Sequence, residues 1–296
     1  MTSSLATPPC DIRRVVFLGT PEPSVVALRA LVEAGFDVPL VISRPDRRRG
    51  RGSQLVASPV KQAAVEFGLP VSDSLRDALD VDADLGVVVA YGRIIPVSVL
   101  ERLAMVNIHF SLLPRWRGAA PVERAILAGD RETGVCLMEV AEGLDEGGVF
   151  AHRSLVIGTD ESAADLRARL AVSGAELLVE TLRRGLGRAE PQVGQVTYAA
   201  KIERHESRLD FSRSAEELHR TVRVGRAWAR FRGRRLGVEQ ARALPGSGPP
   251  GELDGVVVAT PRGLLELVTV KPEGKRVMAA RDWVNGVQPV SGERLG

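Results

Sequence analysis

The chain has 296 residues, of which 44% are hydrophobic and 26% charged, and its formal net charge is +3. This composition is typical of a globular protein and excludes a disordered or fibrous chain. The sequence contains no uncharged apolar run of the roughly 18 residues that a membrane-spanning helix needs. The amino terminus lacks the basic start and apolar stretch of a secretory signal, and the two cysteines lie in unrelated contexts. We therefore expect a cytoplasmic protein without disulfides, with no membrane partner and, from its length, two domains.

The first half of the chain alternates short apolar runs with segments of helical periodicity. The run at 85–90 is continuously apolar, as expected for a strand that is buried on both faces of a parallel sheet. Strands that alternate with helices predict an open, mostly parallel α/β sheet. The predicted strands are 15–18, 38–42, 85–90 and 105–110, and the predicted helices are 25–32, 60–67 and 122–127.

The pattern changes after Gly134. Two apolar runs separated by a glycine-rich turn predict a strand, a turn and a second strand, and a long helix is predicted over 162–183. From about residue 204 onward, short apolar runs separated by glycine and proline predict a small β-rich domain. We expect a first domain over 1–185, a linker over 186–203 and a second domain over 204–296.

The net charge is distributed unevenly along the chain. Residues 1–200 carry about −3 and residues 201–296 about +6, and seven arginines without an intervening acid lie between Arg220 and Arg235. A basic second domain beside a slightly acidic first domain suggests a catalytic body with an appendage that binds a polyanion. The alternative is that these arginines only decorate a solvated surface.

Several common catalytic motifs are absent from the sequence. The turn after the first predicted strand reads GTPEPS rather than GxGxxG, so a dinucleotide cradle is not expected. The sequence has no GxxxxGK[ST] phosphate loop, no GxSxG and no HExxH. The four histidines have no cysteine or histidine at metal-ligand spacing, and we predict no metal site.

The end of the strand predicted at 105–110 carries polar side chains. Asn107, His109 and Ser111 are two residues apart, so a strand places them on one face. Ligands of open α/β sheets bind beyond the carboxyl ends of the strands. An amide and an imidazole at such an end can either cap loop backbone groups or act on a carbonyl, the amide stabilising an oxyanion and the imidazole moving a proton. The residues alone leave both interpretations open.

A carboxylate is needed to orient that imidazole, and Asp145 in the turn GLDEGG is a candidate. An isolated aspartate in a glycine-rich turn is more often a turn former. This assignment therefore depends on additional information.

Three segments together, NIHFSLLP (107–114), RWRGAAP (115–121) and GLDEGG (143–148), resemble the active-site signature of folate-dependent formyltransferases. The resemblance implies a Rossmann-like, mostly parallel α/β domain followed by a smaller β-barrel domain related to the OB-fold. It also implies 10-formyltetrahydrofolate as co-substrate and no metal. The implied catalytic residues are Asn107, His109 and Asp145, and the implied folate-binding residues are Ser111, Leu112, Leu113 and Pro114.

Longer segments resemble the branch of that family whose acceptor is the methionyl group of initiator tRNA. They are VVFLGTPE, SRPDRRRGRG, VVVAYGRIIP and SLLPRWRGAAPVERAILAGDRETGV, and the similarity is weaker in the second domain. The resemblance implies that a basic loop after the second strand and the second domain both bind tRNA. The loop arginines are Arg44, Arg47, Arg48, Arg49 and Arg51.

Two positions depart from the family pattern. Phe110 stands where a small residue is usual, so we expect different packing beside the folate. Segment 222–231 lacks the expected proline pattern, so no single residue of the second domain is assigned to tRNA.

Two alternative functions remain. A related enzyme could formylate an amino sugar or another small amine, although such a substrate needs no basic second domain. The chain could instead be an RNA-binding module with an inactive α/β domain, which the intact Asn107, His109 and Asp145 argue against.

Overall fold

The computed structural model describes residues 5–48 and 55–296. The chain separates into two units: residues up to 121 with 132–156 and 167–199 form the first, and 122–131, 157–166 and 200–296 form the second. None of the helices in the described ranges is long and apolar enough to cross a membrane.

The elements of the first half are β1 (Arg14–Gly19), α1 (Glu22–Glu33), β2 (Asp37–Ile42), β3 (Arg47–Arg48), β4 (Leu55–Val56), α2 (Pro59–Glu66), β5 (Val71–Ser72), a 3-10 turn (Leu75–Leu79), β6 (Leu85–Val89), α3 (Val97–Leu100), β7 (Met105–His109), β8 (Arg117–Gly118) and α4 (Pro121–Ala128).

The remaining elements are β9 (Glu132–Glu139), β10 (Val149–Val156), α5 (Ala163–Arg184), β11 (Tyr198–Ala199), a 3-10 turn (Arg204–Ser207), α6 (Ala215–Val224), β12 (Trp228–Phe231), β13 (Arg234–Leu244), β14 (Leu253–Asp254), β15 (Val257–Ala259), β16 (Leu264–Pro272), β17 (Met278–Ala279) and α7 (Ala280–Val287).

The first unit is built on a seven-stranded sheet with the order β10-β9-β7-β6-β1-β2-β5. The five strands from β5 to β7 are parallel, and β9 and β10 continue the sheet in antiparallel pairing. The predicted mostly parallel α/β sheet is confirmed. Because β1, β6 and β7 are parallel neighbours, their carboxyl ends meet at one edge of the sheet.

The parallel strands form because their side chains are apolar on both faces. All four side chains of 15–18 are fully buried, and every residue of β6 is buried. The side chains of such a run point to both faces of the sheet, so all of them are removed from water only when other elements cover both faces. This burial agrees with the position of β1 and β6 in the interior of the sheet, where each has a neighbouring strand on both sides.

The second unit contains an antiparallel sheet with the order β12-β13-β16-β15-β14, and β17 pairs with β16. Its core includes Phe231 and Trp283, whose rings meet edge to face with centroids 5.2 Å apart. The predicted small β-rich second domain is confirmed, and its sheet is antiparallel. Helix α6, which the apolar pattern did not predict, begins with a capping box in which Ser214 and Glu217 each bond the other's backbone N–H.

Candidate active site

His109 is the last residue of β7, and its imidazole lies between a backbone carbonyl on one side and a carboxylate on the other. The side chain is only 6% exposed. Nε2 lies 2.9 Å from the carbonyl oxygen of Trp116, and a carbonyl can only accept, so we place a proton on Nε2. Nδ1 lies 3.6 Å from Oδ2 of Asp145. This separation is too long for a hydrogen bond but short enough for the carboxylate to stabilise a positive charge on the ring.

Asp145 lies in the loop between β9 and β10, with its side chain 17% exposed. Its backbone is in the left-handed region, with φ of 51°, a conformation that aspartate tolerates better than most residues. Oδ2 accepts a 2.7 Å hydrogen bond from the backbone N–H of Gly118. The carboxylate that faces the imidazole is thus fixed by a backbone donor from the loop that follows β7.

Asn107 shares a face of β7 with His109 and is half-buried. It is paired in register with Val88 of β6 and Met138 of β9. Within the described residues, its side-chain amide has no hydrogen-bond partner. An amide that is half-buried and unpartnered can donate to a bound ligand without first breaking a protein contact.

The segment Ser111 to Pro114 follows directly after the strand. Ser111 is fully buried, and its hydroxyl donates to the carbonyl oxygen of Arg115 at 2.5 Å. Leu112 packs against Gly134, where a Cβ would come within 2.6 Å of the leucine side chain. The peptide bond between Leu113 and Pro114 is cis.

Cys136 on β9 contacts this segment, since its sulfur accepts a 3.4 Å hydrogen bond from the backbone N–H of Leu113. Burial raises the pKa of the Cys136 thiol to about 11. The thiol is therefore protonated at neutral pH and unsuited to act as a nucleophile.

Phe110 faces away from His109, toward helix α5. A Cβ built at Gly174 of that helix would lie 2.7 Å from Ile108 and 3.8 Å from the Phe110 ring. The glycine lets α5 approach the sheet where Ile108 and Phe110 are on its surface. The larger residue is accommodated by helix packing on the face opposite to the imidazole.

The basic loop after β2 is described in part. Arg47 and Arg48 form the short strand β3, which pairs with β4, and both side chains are exposed. Arg49 and Arg51 lie outside the described residues. Arg44 is half-buried beside Gly92, and its buried Nε has no hydrogen-bond partner within the described ranges. An arginine in this state can pair with an anionic ligand.

A feature that the sequence did not reveal is the contact of residues 190–199 with the site. Tyr198 and Ala199 pair with Arg117 and Gly118 as strands β11 and β8. Gln192, in the same segment, hydrogen-bonds the backbone of the Asp145 loop. It belongs to none of the recognised motifs.

Five of the seven arginines at 220–235 divide into two groups. Arg223 donates to the carbonyl oxygens of Glu161 and Gly158, and Arg232 forms a bidentate pair with Glu293 at 2.6 and 2.7 Å. Burial lowers the pKa of Arg223. Three others are exposed and have no acidic partner in the described part of the chain: Arg226, Arg230 and Arg234.

Among the described residues, no group of three or more histidine, cysteine, aspartate or glutamate side chains is arranged to hold a metal ion.

Family models match both parts of the chain. Residues 13–182 match the formyl transferase family, and residues 201–288 match the formyl transferase C-terminal domain. Because the first match alone spans more than half of the chain, the chain belongs to the formyltransferase family.

Comparison with individual proteins narrows this class. The chain is 44% identical to a methionyl-tRNA formyltransferase from Methylococcus capsulatus, over 96% of this chain and 99% of the relative. It is 46% identical to one from Paracoccus denitrificans, over 93% and 97%. The chain belongs to the methionyl-tRNA formyltransferases of the formyltransferase family.

A solved structure shares the fold at much lower identity. It is an N-formyltransferase from Helicobacter canadensis in complex with folinic acid and dTDP-3-aminofucose. The TM-score is 0.69 at 18% identity, covering 86% of this chain and 99% of that one.

Proposed function

We propose that this protein transfers the formyl group of 10-formyltetrahydrofolate to the amino group of methionine on initiator methionyl-tRNA, in the cytoplasm. The observation that carries the proposal is the contact of His109 with Asp145 at the carboxyl edge of the sheet, beside the unpartnered amide of Asn107. The near full-length identity to methionyl-tRNA formyltransferases supports the choice of acceptor. We assign catalysis to the first unit and part of the tRNA binding to the second.

The reaction is a direct acyl transfer. The neutral amine attacks the formyl carbon, the C=O electrons move to oxygen, and the tetrahedral intermediate collapses to expel N10 of the folate, which takes up the proton that the attacking nitrogen has lost. Negative charge develops on the formyl oxygen, where the Asn107 amide is available to donate. One such donor contributes about 10²–10³ in rate.

The attacking nitrogen must lose a proton as its bond to carbon forms. With Nε2–H bound to the Trp116 carbonyl, the free lone pair of the neutral His109 ring is on Nδ1. A proton accepted at Nδ1 would lie close to the Asp145 carboxylate, which stabilises the resulting imidazolium. Proton transfer of this kind contributes about 10²–10⁴ in rate.

We assign the folate to the loop of Ser111, Leu112, Leu113 and Pro114, next to the reacting pair. The side chains of Ser111 and Leu112 already contact protein. We therefore expect this loop to hold folate through its shape and remaining backbone groups.

We assign the acceptor end of the tRNA to the basic loop after β2. Arg47 and Arg48 are exposed, and within the described ranges they have no acidic partner. The guanidinium of Arg44 is likewise available to a phosphate. Phosphate contacts of this kind supply affinity without reading sequence.

The experiment that tests the function offers 10-formyltetrahydrofolate with three acceptors. They are methionyl-initiator tRNA, the same tRNA uncharged, and a dTDP-amino sugar. We expect formyl transfer to the charged tRNA only, measured as acid-stable labelled formyl-methionine. Turnover of the amino sugar at a comparable kcat/KM would contradict the proposal and support a small-amine enzyme.

A further inference from the structure

Gln192 makes four hydrogen bonds with its side-chain amide. Nε2 donates to the carbonyl oxygens of Asp145 and Gly147, each at 2.8 Å. Oε1 accepts from Nε and Nη2 of Arg117, at 3.0 and 2.7 Å. Both amide hydrogens and both oxygen lone pairs are therefore used.

The hydrogen-bonding character of these partners determines which way the Gln192 side-chain amide is oriented. Two carbonyl oxygens on one side can only accept, and a guanidinium on the other side can only donate. A flipped amide would place oxygen against oxygen and N–H against N–H. Glutamine is thus the residue type that satisfies both sides at once.

The loop that Gln192 holds is the one that carries Asp145. Asp145 itself is in the left-handed region, with φ of 51°, a conformation that non-glycine residues keep where their surroundings impose it. At Gly147, an added Cβ would come within 2.0 Å of the Glu139 carbonyl oxygen, so the loop lies directly on β9. The two carbonyls bound by Gln192 flank this point of contact.

The same segment also supports the other partner of the imidazole. Thr197 accepts a 2.8 Å hydrogen bond from the backbone N–H of Trp116, whose carbonyl contacts His109. Arg117, the residue after Trp116, is the one that binds Gln192. Residues 190–199 therefore contact both groups that orient the ring.

We propose that Gln192 is a positioning residue for formyl transfer. It holds the carbonyls of Asp145 and Gly147 and thereby sets the carboxylate at its distance from His109. The amide touches no reacting atom and acts through the loop. The inference rests on the proposed catalytic role of Asp145.

The test is Gln192→Glu, which keeps the side-chain length and an acceptor for Arg117 but cannot donate to the two carbonyls. A displacement of about 1 Å at a group that takes part in a reaction can lower the rate by up to about 100-fold. We expect kcat to fall by that factor, while the KM values for folate and methionyl-tRNA stay within about twofold of wild type. Gln192→Ala should show a similar loss, and Gln195→Ala, at an exposed position of the same segment, should leave kcat unchanged.

An unchanged kcat in Gln192→Glu and Gln192→Ala would overturn the proposal. So would a loss of fold in both variants, by circular dichroism, or equal losses in kcat and substrate affinity, since the residue would then only support the structure. If Gln192→Glu alone misfolds, Gln192→Ala decides. Absent transfer to methionyl-tRNA by the wild-type enzyme would instead contradict the proposed function, which keeps the two failures distinct.

Discussion

The polar groups of the first unit's site and the arginines of the second unit follow opposite rules. In the site, His109 is buried, its Nε2 is hydrogen-bonded to the Trp116 carbonyl and its Nδ1 faces Asp145, whose carboxylate accepts a hydrogen bond from Gly118. On the second unit, Arg226, Arg230 and Arg234 are exposed and have no acidic partner among the described residues. Proton transfer needs fixed geometry, whereas binding a polyanion needs exposed charge that can follow its phosphates.

Arginines within one short stretch of sequence also differ in whether their charge is bound by the protein itself. Arg223 and Arg232 belong to the same basic cluster, yet each is engaged by carbonyl or carboxylate oxygens of the protein. Their charge is already used in the fold. A count of basic residues therefore overstates the charge that is available to tRNA.

The largest effects are expected in the site itself. Asn107→Ala and His109→Ala should each lower kcat by about two to four orders of magnitude without unfolding the protein. In the proposed mechanism, the first removes the donor to the formyl oxygen and the second removes the group that accepts the amine's proton. Asp145→Asn should behave similarly, since an amide cannot stabilise an imidazolium. Steady-state kinetics with methionyl-tRNA measure this. A variant that keeps more than about a tenth of wild-type turnover would remove that residue from the mechanism.

An intermediate effect is expected from the exposed arginines. Arg226, Arg230 and Arg234 changed together to Gln should weaken tRNA binding and reduce the slope of log affinity against log salt by about one for each phosphate that is no longer bound. Folate affinity should not change. The control carries the same loss of charge on the first unit, with Arg76, Arg102 and Arg188 changed to Gln; these side chains are also exposed.

Equal salt slopes in the two triple variants would show that the second unit's arginines only decorate the surface. The tRNA assignment would then depend on the first unit and its basic loop.

The smallest effect concerns stability within the second unit. Arg124 pairs with Glu206 through two hydrogen bonds of 2.6 and 3.0 Å, and the hydrogen bond from Arg124 is the main cause that lowers the pKa of Glu206. Both side chains are partly exposed, so we expect Arg124→Gln to lower the free energy of unfolding by about 1–2 kcal/mol at pH 7.

The pH dependence of that effect follows from the direction of the shift. A lowered pKa in the folded state gives stabilisation that is complete above the ordinary glutamate value of 4.5 and is lost as pH falls below it. Denaturant titrations at pH 7 and pH 3 should therefore show the deficit of Arg124→Gln shrinking at low pH. Arg242→Gln is the control, because Arg242 is 66% exposed and lies 3.5 Å from Glu266, so its loss should change stability by less than about 0.5 kcal/mol. A deficit that grows at pH 3 would contradict the assignment.

The sequence predicted the sheet and the position of His109 because both depend on local pattern. A continuous apolar run identifies β6, and the polar residues Asn107 and His109 in the second half of β7 mark the sheet's edge. Helix α6 also had a local signal, since Ser214 and Glu217 are spaced as a capping box. Apolar periodicity alone does not reveal a signal of this kind.

The remaining features depend on contacts between distant residues. Gln192 bonds carbonyls that lie 47 and 45 residues earlier, and Arg232 pairs with an acid 61 residues away. A single glutamine or arginine carries no periodicity that could predict such a partner. The tertiary structure determines which polar side chains bond to other protein groups and which stay available to a ligand.

The distinction between buried residues that act in the reaction and exposed arginines that only bind tRNA is tested most directly by one measurement. It is the single-turnover rate of formyl transfer at saturating methionyl-initiator tRNA. We expect His109→Ala to lose at least about 100-fold in this rate. The Arg226, Arg230 and Arg234 triple variant should stay within about twofold of wild type, because saturation compensates for weakened binding. A triple variant that loses as much rate at saturation as His109→Ala would contradict the account.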